Sequence, residues 1–109
     1  MNPVDLMNVN VNECAARLPQ AWQSRVLGLV GAAEVKLLRM DGRELPVESH
    51  AAAEVLLVVD GVLQLYVEEA DMTLRSGELV VVPAGARHAV RAGSRGSLLI
   101  VETAGPGEG

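Results

Sequence analysis

The chain has two histidines, His50 and His88, and the first sits among spaced acids. Glu48 and His50 are two positions apart, so on an extended backbone both side chains leave the same face of the strand. Glu54 follows four residues later. His88 belongs to a different segment, GELVVVPAGARH from Gly77, which reads as strand, turn, strand. A metal centre in a β protein needs donors from separate strands that converge on one point. Two imidazoles with one or two carboxylates suit a divalent transition metal, and two histidines plus one carboxylate with open positions is a recurring arrangement for non-haem iron. Taken singly, each residue has a plainer reading: a histidine in a strand is more often hydrogen-bonded or at the surface than a ligand, Glu54 before an apolar run is an ordinary strand-end charge, and Glu48 is a solvated one. Their joint spacing carries the argument.

Such residues require a β scaffold, and the sequence predicts one. From Arg25 onward the strand patterns RVLGLVG, AEVKLLRM, VLLVV, VLQLYVEE, MTLR, ELVVV, RHAVRA and SLLIVE are separated by turns. VLLVV (55–59) is continuously apolar, as expected of a strand buried on both faces. Asp60–Gly61 reads as a tight hairpin turn, because this pair readily supplies positive φ. In the next strand Leu63, Leu65 and Val67 share one face and Gln64, Tyr66 and Glu68 the other. Before Arg25, MNVNV (7–11) alternates as a short strand, and Asn12 is placed to cap a helix over NECAARLPQAWQ that Pro19 interrupts. In that helix Ala15, Leu18 and Trp22 recur at helical spacing, which makes Trp22 a core-facing lid. Eight or nine short strands with turns every eight to twelve residues indicate an antiparallel sandwich or barrel. The expected organisation is an N-terminal strand and helix (1–24) packed on a barrel (25–103), then a flexible tail (104–109).

At 109 residues the chain makes one domain that buries about 65% of its unfolded surface. It contains no Phe, one Trp and one Tyr, so its core must be aliphatic, and a sugar-stacking pocket is poorly supplied. A net charge of -5 argues against nucleic acid or an anionic membrane as partner. The single cysteine, Cys14, forms no internal disulfide and reads as a buried or inert thiol in a reducing compartment. The first residues lack a secretory pattern, and no apolar run approaches a membrane span of about 18 residues, so a soluble cytoplasmic protein is expected. The edge strands of a small barrel need covering, which predicts a homodimer.

The spacing of the two candidate segments also resembles a known family. Gly42, five residues, Glu48, Ser49, His50, three residues, Glu54, six residues and Gly61 are similar to the first motif of the cupins, with Glu48 where that motif has its first histidine. Gly77, five residues, Pro83, Ala84, Gly85, two residues, His88, three residues and Ala92 are similar to the second, with Ala92 in place of the closing asparagine. The 15 residues between Gly61 and Gly77 match the gap of compact single-domain bacterial cupins. The resemblance implies an all-β double-stranded β-helix jelly roll with one short N-terminal helix. It also implies a pocket whose metal ligands are His50, Glu54 and His88, with Glu48 a fourth ligand or a hydrogen-bonding neighbour. A carboxylate in place of an imidazole would shift preference toward manganese or iron.

Two functions follow as expectations. One is metal-dependent chemistry, of oxygenase or isomerase type, on a small polar molecule bound with one divalent transition metal (iron, manganese, zinc or nickel). The other is a non-catalytic barrel that binds a small molecule or metal as a sensor or accessory. Fold alone does not choose between them.

Overall fold

The structure, a computed structural model, describes residues 7–103. One helix and eight strands appear in it: α1 (Val11–Ala16), β1 (Arg25–Val30), β2 (Ala33–Asp41), β3 (Leu45–Glu48), β4 (Glu54–Val67), β5 (Ala70–Arg75), β6 (Leu79–Val82), β7 (His88–Val90) and β8 (Arg95–Thr103). The strands pair antiparallel in the order β1-β2-β8-β4-β7-β3, and both β5 and β6 pair with β4. This is the predicted all-β jelly roll with a single short helix. No helix of the described residues is long and apolar enough to cross a membrane.

β4 organises the barrel. It was expected as two strands joined at Asp60–Gly61, but it runs unbroken through both, with an irregularity in its register against β8 between Val58 and Asp60. Gly61 (φ 96°) faces Gly96 (φ 109°) across the ladder, and a Cβ on either would collide with the backbone of the other strand. The positive φ of the glycine serves a close crossing, so the strand bends and continues. Its first half pairs with β6 and its second half with β5 and β7, so one strand ties the two faces together.

Inward positions alternate as the pattern requires: Leu56, Val58, Leu63 and Leu65 of β4 are buried. Val55, Leu57 and Val59 are half-buried, so VLLVV has one core face and one partly covered face. Leu38, Met40, Leu74, Val82, Leu98 and Ile100 complete the aliphatic core.

The N-terminal segment departs from expectation. Residues 7–10 form no strand, and Asn10, not Asn12, caps the helix by accepting from the Glu13 N–H at 3.0 Å. A five-residue alternation has no ladder to join, whereas the cap satisfies an otherwise free helix donor. The helix ends at Ala16 because Pro19 disfavours helical backbone at the residue before it. Cys14 is half-buried, with Arg25 Nη1 3.9 Å from its sulfur. The tail expected over 104–109 lies outside the described residues.

Candidate metal centre

Four elements bring the candidate residues to one end of the barrel. Glu48 ends β3 and lies across the ladder from His88, the first residue of β7. His50 sits in the loop after β3, where its carbonyl accepts the Gly85 N–H at 2.8 Å; the PAG turn of the second motif thereby fastens the histidine of the first. Glu54 begins β4 and faces Glu102 of β8 directly.

The donor atoms converge. His50 Nε2 is 3.2 Å from Glu48 Oε1, and His88 Nε2 is 3.7 Å from the same oxygen and 3.3 Å from Glu54 Oε1. The two imidazole rings lie 5.3 Å apart between centroids, tilted by 47°. One donor atom each from Glu48, His50 and His88 falls within a common span of 4.8 Å. His88 is buried, and its Nδ1–H donates to the Ala86 carbonyl at 3.0 Å. A carbonyl can only accept, so neutral His88 must carry its proton on Nδ1 and aim the Nε2 lone pair into the cavity.

This donor set fits a cation. The Glu48 carboxylate lies within reach of both imidazole Nε2 atoms, and a positive ion would satisfy that carboxylate together with the imidazole lone pairs. An ion with bonds near 2.1 Å holds neighbouring donors about 3.0–3.4 Å apart; the Glu48–His50 separation of 3.2 Å and the Glu54–His88 separation of 3.3 Å fall there, and Glu48–His88 is wider at 3.7 Å. All four residues named from the motifs lie at this end of the barrel, three of them in one cluster. Glu48 stands inside the tightest cluster, and Glu54 lies at its edge beside His88.

Glu54 is engaged on its other side by a residue that the motif reading did not include. Glu102 faces it across the β4–β8 ladder and shares a hydrogen bond with it. Burial first, and then that bond and the negative charge of Glu102, push the Glu54 carboxyl up to about 7. Burial would raise Glu102 as well, but the hydrogen bonds from Glu54 and Lys36 and the charge of Lys36 outweigh it and hold Glu102 lowered. Lys36 is ion-paired with Glu102 and lies 4.0 Å from Glu34. Two acids facing each other on a ladder repel unless a proton is shared, and here Glu54 holds it. The signal for Glu102 was available: it shares a face with Leu98 and Ile100 of SLLIVE, so the same alternation that buries those two turns it inward.

These polar groups line one end of a cavity of about 310 Å³ whose remaining walls are Trp22 and aliphatic side chains. Trp22 does not belong to the helix. It follows α1 with φ 66°, its N–H donates to the Arg39 carbonyl at 2.8 Å, and its indole Nε1–H donates to Asp41 Oδ1 at 2.7 Å.

The profile of a family described as "Cupin domain" matches residues 38–103, the stretch that holds both motifs. The chain belongs to the cupins. Among solved structures, a cupin-2 domain containing protein from Shewanella frigidimarina is similar at 30% identity and a TM-score of 0.79, over 87% of this chain and 93% of that one. Protein NMB1881 from Neisseria meningitidis shares 24% identity, with a TM-score of 0.77, over 90% of this chain and all of that one. A cupin superfamily protein from Desulfitobacterium hafniense matches at 17% identity and a TM-score of 0.71, which speaks to the fold alone. No curated protein sequence matches the chain significantly. Small-molecule or metal binding is the coarse function this membership carries.

Proposed function

We propose that this cupin binds one divalent transition metal at Glu48, His50 and His88, with Glu54 at the edge of the set, and acts on a small polar molecule by oxygenase- or isomerase-type chemistry. The observation that carries this reading is the convergence of the three donor atoms within 4.8 Å at the mouth of a cavity. A bound ion supplies a Lewis acid that polarises a substrate oxygen. The chain's own groups do the rest. Ala86 holds His88 in the tautomer that presents Nε2. Glu48 adds a hard, charged oxygen that favours iron or manganese over copper or nickel. Glu54, paired with Glu102, holds a proton next to His88 where a reacting oxygen could exchange it. Aliphatic side chains and Trp22 form the remaining walls of the cavity.

The proposal includes a homodimer. Among the described residues β1 is an edge strand that pairs with β2 alone and exposes Val26, Leu29 and Val30, and a second copy is a symmetric cover for it. Sedimentation at micromolar concentration should give twice the chain mass, and a single species at 11.5 kDa would remove this element. A cytoplasmic site is part of the reading too, supported by the lone thiol.

Elemental analysis of untagged protein should find about one metal per chain. Added manganese, iron, zinc or nickel should raise the melting temperature of the metal-free protein and fail to do so for His88→Ala. Metal-free protein with no such rise would leave the alternative, a cavity that binds a small molecule without catalysis.

A further inference from the structure

The cavity is chemically two-sided in a way that the metal cluster alone does not explain. Its polar groups are Glu48, His50, Glu54, His88 and Glu102, all at one end. Among the described residues every other lining residue is aliphatic except Trp22, and none is Ser, Thr, Asn, Gln, Tyr, Lys or Arg. Lys36, close by, is committed to Glu102 and Glu34. A sugar or other polyol has hydroxyls all round its ring, and those turned toward Leu38, Leu56, Leu98 and Ile100 would lose water and gain no partner. An alkyl body is stabilised on the same surface by leaving water.

Trp22 is fixed over this space. Its left-handed backbone, at φ 66°, is costly for a bulky L-residue and persists where the surroundings hold it. Here two hydrogen bonds do so, one to the Arg39 carbonyl and one from the indole to Asp41. Asp41 is itself clamped by Arg43, whose Nε and Nη2 donate to its two oxygens at 3.0–3.1 Å and 2.7 Å. Simple core filling needs neither the strain nor the clamp, since an aliphatic side chain in relaxed backbone would close the barrel. A wall held in a set position suits a ligand of set width.

We infer that the small molecule of the proposed function carries its polarity in a single oxygen-bearing head on a compact aliphatic body, unlike a sugar or polyol, and that Trp22 is the specificity-determining wall for that body. The inference rests on the metal reading only for the head group, which the polar end would hold.

The experiment is a calorimetric titration of manganese-loaded protein with aceto-, butano- and hexanohydroxamate, whose heads are identical and whose tails grow. Affinity should rise about fourfold per added methylene. Trp22→Ala should weaken hexanohydroxamate about tenfold and leave acetohydroxamate within about twofold of the native protein, a pattern that general destabilisation would not produce. Xylose and xylitol should not displace hexanohydroxamate, whereas 1,2-hexanediol should. A flat or inverted chain-length series, xylose competing as well as the diol, or equal losses for all three hydroxamates in Trp22→Ala would each overturn the inference. Manganese binding is measured first, without hydroxamate. If it fails, the metal reading falls by itself, and the series ethanol, 1-butanol, 1-hexanol on the metal-free protein decides the ligand class by the same slope.

Discussion

On β4 the inward positions run Glu54, Leu56, Val58, and on β8 opposite them Glu102, Ile100, Leu98. Acid faces acid at one end, and aliphatic faces aliphatic one inward step deeper, about 7 Å along the strand. The backbone pairing is the same in both places. At the aliphatic end the side chains need no partner beyond apolar contact, and the penalty for change is lost burial. At the acidic end the side chains satisfy one another only in part, and the residual demand for protons or positive charge is what gives the site chemical capability. A single strand pair therefore changes from scaffold to chemistry within two residues, with no change of secondary structure to mark the boundary.

The largest effect should come from the aliphatic end. Leu65 is fully buried in the core cluster, and Leu65→Ala should cost about 3 kcal/mol in denaturant unfolding. An effect below about 1 kcal/mol would mean that the inner cavity is already loose, and the contrast would fail. Next is His88→Ala, expected to weaken metal binding by about 100-fold or more, near 2.7 kcal/mol. Unchanged affinity would move the metal away from the second motif.

The third test concerns Glu54. Its folded carboxyl titrates near 7 against an ordinary 4.5, so between those values the folded state keeps a proton that the unfolded chain releases. Stability of the metal-free protein should then decline as pH rises from about 4.5 to 7, and the full penalty should persist above 7. The difference is worth at most about 3 kcal/mol, less what the pair relaxes. Glu54→Gln keeps a donor for Glu102 without the charge. It should stabilise the metal-free protein by about 1–2 kcal/mol at pH 8 and have little effect below pH 4.5. A pH-independent difference would show that burial at this end does not hold the proton.

The same contrast explains what was legible beforehand. The alternation of Leu63, Leu65 and Val67 in the second half of β4 and the motif spacing around His50, Glu54 and His88 could be read because each follows a short period or a fixed count. Glu102 was passed over because a lone acid at the end of an apolar strand looks like a solvated terminus; only the β4–β8 register places it opposite Glu54. Asp60–Gly61 has the composition of a hairpin, but the glycine is needed for the close crossing with Gly96, a contact between residues far apart in the chain. Trp22 matched a helical period by coincidence, since Pro19 ends the helix conditions before it, and its position comes from Arg39 and Asp41. Local pattern revealed the strands and motifs, and long-range pairing decided the rest.

The smallest effect on stability, and the sharpest test of the contrast, should come from Glu48→His. The Glu48 side chain is 60% exposed, unlike Glu54 and Glu102, so replacing it opens no cavity and strands no buried charge. The change in folding stability should stay within about 0.5 kcal/mol, as for other surface positions. Its effect on metal choice should be disproportionate. Glu48 Oε1 lies 3.2 Å from His50 Nε2 and 3.7 Å from His88 Nε2, so a donor here is shared by both imidazoles. An imidazole in its place removes a negative charge and a hard oxygen, and should shift selectivity from manganese toward nickel or copper. Competition titrations of manganese against nickel, run on the native and Glu48→His proteins at one pH, measure that shift. An unchanged ratio would place Glu48 outside the coordination of the ion, and leave His50, His88 and Glu54 as the set that holds it.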